Sequence, residues 1–172
     1  MNTELSRLAA EIGLTDPGQA SLRLAFGLAC ADRIGHLLED PRAIEGLAVA
    51  HAFLDGKADE AALAEARAEL AAVANGHRGS NSIDGSAHAA VSATYAVANA
   101  LASRALEAAS YAAYAAVYAY GGYAITDPTA FEDEFAWQVE TLKALARPHA
   151  KASPTDPAQR VPSPSRRSSH TL

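Results

Sequence analysis

Alanine occupies 43 of the 172 positions, about a quarter of the chain, and this limits the fold more than any other feature. Alanine has the highest intrinsic helix propensity and a side chain small enough to let helix axes approach closely. Apolar residues reach 49% of the composition, yet aromatic residues supply only 6%. A β-sandwich or barrel needs more β-branched and aromatic side chains than this. The expected fold class is therefore all-α: a compact bundle of about five to six Ala-rich helices. The length suits a single domain with a continuous core.

Helix starts are marked by three Asp-Pro pairs, Asp16-Pro17, Asp40-Pro41 and Asp127-Pro128. Each joins a favoured N-cap to a residue whose fixed φ suits the first helical turn. Gly13, Gly56 and Gly76 stand where helix C-termini are expected. These signals predict helices over 3–12, 17–38, 41–54, 59–75, 84–122 and 128–147. The fifth is too long for one straight helix in a compact domain, so a bend or break is expected around Ala102-Ser103. Core stripes are expected at Leu22, Phe26, Ala29, Ile34, Leu37 and Leu38. Ile44, Leu47, Val49, Phe53 and Leu54 form a less regular one. Phe131, Phe135, Val139, Leu142 and Leu145 recur at helical spacing, with Trp137 off the main line.

Charge divides the chain in two. The formal net charge is −6, but residues 148–172 carry a net +3 and are rich in proline and serine, so residues 1–147 carry −9. The expected organisation is a helical bundle domain over 1–147 followed by a disordered Pro/Ser/Arg tail over 148–172. Such a basic tail permits at most a weak contact with nucleic acid, and no other nucleic-acid partner is expected. No apolar run reaches the roughly 18 to 20 residues of a membrane span, so no membrane partner is expected. Met1-Asn2-Thr3-Glu4 lacks the pattern of a secretory leader, and the lone Cys30 fits a reducing compartment. The expected location is cytoplasmic.

The six histidines do not form the paired spacing that projects two ligands from one helical face. No metal, no cofactor and no catalytic residues are expected. Cys30 lies on a predicted buried stripe, where a thiol behaves as a small hydrophobe. Two regions remain as candidate binding sites. One is the polar segment Asn75–Ser86 between two Ala-rich helices, with His77 and Arg78. The other is a tyrosine cluster in which Tyr111, Tyr114 and Tyr118 share one helical face and Tyr120 points nearly opposite. Rings with a polar tip suit an interface or a pocket, and they also suit core packing. A pocket inside the bundle would be lined by Tyr111, Tyr114 and Tyr118 and polarised by His51 or His88.

The run Leu28-Ala29-Cys30-Ala31-Asp32-Arg33-Ile34-Gly35-His36-Leu37-Leu38-Glu39-Asp40-Pro41-Arg42, continuing to Leu47, resembles an immunity-protein family of helical actinobacterial proteins. Members share a similar helix, an Asp-Pro-Arg turn, a second helix ending in glycine and an Ala-rich half. The resemblance covers residues 20–125. Family members carry several histidines in the Ala-rich half, where this chain has Tyr95, Tyr111 and Tyr114. It implies a non-enzymatic immunity or self-resistance protein that binds and neutralises a toxin protein or a toxic small molecule such as an antibiotic. Exposed residues outside the core stripes are then the binding candidates: Asp32, Glu39, Asp40 and Arg42 near one turn, and His77 and Arg78 in the polar segment. Arg33 and Arg42 have an alternative use in ion pairs with Glu39 and Glu45. The alternative function is a small-molecule binding or modifying protein built on the tyrosine pocket. A third reading is a homo-oligomeric scaffold.

Overall fold

The computed structural model describes residues 2–76 and 86–150. Among these residues the chain forms seven α-helices and no strand: α1 (Thr3–Glu11), α2 (Ala20–Arg33), α3 (Pro41–Leu54), α4 (Glu60–Gly76), α5 (Ser86–Leu101), α6 (Ala105–Tyr120) and α7 (Glu132–Ala150). Short 3-10 turns occupy Pro17–Gln19, Gly35–Leu37, Ala124–Thr126 and Pro128–Phe131.

The count rises from the expected five or six to seven because the long fifth segment breaks where its length required. After α5, Ser103 takes a left-handed φ of +57°. The amide of Arg104 then reaches back to the Asn99 carbonyl and that of Ser103 to Ala100, closing the helix end. Gly13 and Gly56 perform the same closure after α1 and α3 with φ of +63° and +70°. Arg67 of α4 donates to the Leu101 carbonyl at 2.7 Å, satisfying another acceptor at the break.

The N-caps follow the sequence signals in part. Asp40 accepts from the Arg42 amide and Asp127 from the Thr129 amide, each at 2.9 Å. Hydrogen bonds from the Thr129 hydroxyl and amide also hold the Asp127 carboxyl below the usual aspartate range. Asp16 makes no side-chain cap bond. The expected helix over 17–38 is divided: α2 covers only 20–33, with a 3-10 turn on either side. At the other end of the chain, α7 continues to Ala150 and takes Pro148 into its last turn, so helix extends three residues beyond the expected domain boundary at 147. The disordered tail expected from 148 otherwise lies outside the described residues.

Three helices form the middle of the molecule. Leu22, Phe26 and Cys30 of α2 join one apolar cluster with Leu5 and Ala9 of α1, alanines of α5 and α6, and Val139 and Leu142 of α7. Leu24, Leu28 and Ala31 of the same helix join a second cluster with α3, α4 and α5. α2 is therefore buried on two sides, with α1 and α7 on one flank and the α3–α4 pair on the other. α5 packs most extensively on α6, and six of the seven buried residues on α6 are alanines.

Small residues decide the packing distances. A Cβ on Gly27 would lie 3.0 Å from the Ala100 Cα and 3.1 Å from its Cβ, so α2 and α5 are nearly in backbone contact there. On α3 the buried face is Ala43, Gly46 and Ala50, while Ile44 is 52% exposed. The expected stripe on this helix is thus displaced. A close seat against Leu70 of α4 needs Gly46, whose Cβ would meet the Leu70 Cδ2 at 2.8 Å.

Candidate functional site

Position along α6 determines which tyrosines reach the surface. Its alanines point into the bundle, which leaves Tyr111 and Tyr114 outside with 37% and 40% of their surface exposed. Tyr111 and Tyr114 thus do not fill the core. Tyr111 stacks on Tyr95 of α5 with ring centroids 5.0 Å apart, and Tyr118 stacks on His88 at 5.1 Å. Tyr114 lies 6.4 Å from Tyr118 and meets Phe131 edge-on at 5.4 Å, within the range of favourable aromatic pairs. The result is an aromatic band on α5, α6 and the turn before α7, made of the Tyr95–Tyr111 pair and a row from His88 through Tyr118 and Tyr114 to Phe131. Tyr120 and Tyr123 stand apart from it, 81% and 80% exposed.

Beside this band is a cleft of about 390 Å³. Its walls are Leu5 and Ser6 of α1, Leu106, Glu107, Ser110, Tyr111 and Tyr114 of α6, and Asn2 and Gln138 at the α1–α7 junction. Gln138 is fully buried, donating to the Ala109 carbonyl at 2.8 Å and accepting from the Asn2 amide at 3.2 Å. Asn2 also donates to the Phe135 carbonyl at 2.9 Å and caps α1 by accepting from Leu5 at 3.0 Å. These bonds tie α1 to α7 and hold the cleft walls in register. A second hollow of about 320 Å³ shares Ser110 and Tyr114 and runs on to Phe131 and Phe135.

Of the residues expected to line a pocket, Tyr111 and Tyr114 line this cleft between α1, α6 and α7. The interior is filled by alanines together with larger side chains such as Phe26, Leu22, Leu28 and Leu142, and Tyr111 and Tyr114 are left at the edge. Tyr118 belongs to the aromatic band and does not line the 390 Å³ cleft, and neither His51 nor His88 reaches it.

The candidates near the α2–α3 turn are engaged with one another. Asp32 contacts His51 Nε2 at 2.8 Å, joining the end of α2 to α3. Arg42 binds the Asp40 carboxylate through Nε at 3.0 Å and a terminal nitrogen at 2.7 Å, which pushes the guanidinium pKa up. Glu39 is exposed beside them on an open surface with Asp40, Pro41 and Arg42. The ion pairs expected with Glu39 and Glu45 are replaced: Arg42 pairs with Asp40, and Arg33 pairs with Glu134 of α7 at 2.5 Å. His77 and Arg78 lie outside the described residues, as does most of the polar segment around them.

Glu134 and Gln138, both buried, are not among the candidate site residues that the sequence marks. Counting from Phe131 in steps of three and four gives 134, 138 and 142, so both sit on the buried stripe of α7. A polar residue inside such a stripe is the signal that could have found them.

Chemically, this surface offers apolar and aromatic walls, hydroxyls and a carboxylate in one concave place. Among the described residues no three His, Cys, Asp or Glu side chains gather as metal ligands, and no helix is long and apolar enough to cross a membrane. Fold and surface together define an all-α bundle with an aromatic cleft on its flank. No protein-family profile, no curated protein and no solved structure matches the chain.

Proposed function

We propose that this chain is a non-enzymatic self-resistance protein that neutralises a toxic small molecule by holding it in the cleft between α1, α6 and α7. The observation that carries the reading is the cleft itself, about 390 Å³ and walled by Tyr111, Tyr114, Leu5 and Leu106. Its volume falls in the range of small-molecule sites, which run from roughly 300 to 1,000 Å³. Ligand sites of this kind combine apolar walls with a few polar groups, here Ser110, Glu107 and the tyrosine hydroxyls. Half-exposed tyrosine rings offer flat faces for stacking at low entropic cost. The favoured ligand is therefore largely apolar and planar, with hydrogen-bonding groups at one edge. The resemblance to helical immunity proteins supplies the protective role, which requires stoichiometric binding.

Native mass spectrometry of the protein purified from its own cells tests this. The expected spectrum shows an added mass of a few hundred daltons on the wild type, absent from Ser110→Trp, which fills the cleft. A bare mass in both overturns the reading. A protein-sized addition that survives Ser110→Trp moves the target to a protein toxin bound elsewhere on the surface.

A further inference from the structure

We propose that a second cleft, where the ends of α2 and α6 meet the start of α7, binds a small organic ammonium anchored on the buried carboxylate of Glu134. The cleft has a volume of about 600 Å³. Glu134 contributes to its lining while remaining only 5% exposed. One carboxylate oxygen, Oε2, accepts from Arg33 Nε at 2.5 Å. The other, Oε1, is enclosed and has no hydrogen-bond partner, and no other buried side-chain polar atom among the described residues is left so.

A buried acceptor without a donor is costly, and more so when it carries charge. The first turn of α7 accounts for the tolerated charge, because the helix N-terminus favours a carboxylate there. It does not account for the missing donor. Arg33 binds Oε2 through Nε, with its guanidinium 4.5 Å from the centre of the Trp137 ring, and makes no hydrogen bond to Oε1. The donor must then come from outside the chain, and the lining of the cleft favours a ligand over a water alone.

The lining defines its chemistry. Arg33 is opposed by Asp133 and Glu134, so these three groups carry one net negative charge that a monocation would balance. A metal ion would need several convergent ligands, and no such group forms among the described residues. Ala116, Ala119 and Ala130 present methyl groups instead, with the exposed Tyr120 ring at hand. A single N–H-bearing cation with an apolar body satisfies all of these: a donor for Oε1, a positive charge, apolar contact with the alanines, and an aromatic face near the cation.

Titration of the full chain with benzylammonium chloride at constant ionic strength tests the site, followed by calorimetry and by amide NMR shifts. Saturable one-to-one binding is expected, with shifts centred on residues 116–120 and 130–134. Benzyl alcohol, the neutral counterpart, should bind at least about tenfold more weakly. Glu134→Gln should weaken benzylammonium by a similar factor. Because that change also disturbs the pair with Arg33, Ala119→Trp serves as the second variant: it fills the cleft, leaves the pair intact, and should cause the same loss. Tyr114→Ala should leave the binding unchanged, which separates this site from the tyrosine cleft. Absence of saturable binding, equal binding of benzyl alcohol, or unchanged binding in both cleft variants would overturn the proposal and leave a water as the partner of Oε1.

Discussion

The Cys30 thiol has no exposed surface, and burial, aided by the nearby Glu134 charge, pushes its pKa far above the ordinary thiol range. Arg33 opposes this shift but does not cancel it. Since only the thiolate reacts readily, the folded protein should resist an aromatic disulfide reagent. At neutral pH the expected reaction is at least about 100-fold slower in the native protein than in the guanidinium-unfolded chain, limited by opening of the bundle. Equal rates, read from the absorbance of the released thiolate, would show that α2 is not the buried helix described here. Sequence position alone indicated a packed cysteine, because Cys30 falls one turn beyond Phe26 on the same stripe. The polar partners of the bundle were harder to read. Asn2 meets Gln138 across 136 residues of chain and Arg33 meets Glu134 across 101, and no local pattern couples them.

At the scale of elements, helix boundaries were legible where their causes are local. Asp40-Pro41 starts α3 at the expected residue, and its closing glycine follows the expected end. The α5–α6 break was inferable only from length, since a serine takes the left-handed position that glycine usually fills. Which face of a helix is buried was less legible. Gly27 appears in the sequence as a weak point in α2, yet it sits where a backbone atom of Ala100 lies 3.0 Å from the position of an added Cβ. Gly27→Ala raises helix propensity by about 1 kcal/mol. The clash with α5 should outweigh that gain, for a net loss of up to about 2 kcal/mol, because overpacking a close helix contact typically costs about 1–3 kcal/mol. Gly35→Ala, with open space around the added methyl, should be close to neutral. Urea denaturation of the two variants beside the wild type measures both, and a stabilised Gly27→Ala would refute the close approach of α2 and α5.

For the whole molecule, two apolar clusters share α2, α5 and α6, while α1 contacts mainly α7 and α4 contacts only α3 and α5 extensively. Regions with more buried contact open less often, so native-state hydrogen exchange should be slowest for amides in the middle of α2, α5 and α6. Those of α1 and α4 should exchange faster, through partial opening. Uniform protection across all seven helices would instead indicate one cooperative unit. The tyrosine cleft lies on the α1 side of this arrangement. A bound molecule would therefore be expected to slow exchange in α1 more than in α3.

The sequence by itself determined the helical class, most helix starts and the amphipathic grouping of Tyr111 and Tyr114. Propensity, capping and periodicity act within a few turns of chain, so they can be read without knowing what packs against a helix. Only the tertiary structure decided that α2 would be buried on two sides, that Ile44 would remain exposed, and that Asn2 and Gln138 would meet beside the tyrosines. Those outcomes depend on which surface the facing helix presents. In a chain so rich in alanine many faces are nearly equal in apolar character, and the few glycines and buried polar groups select among them.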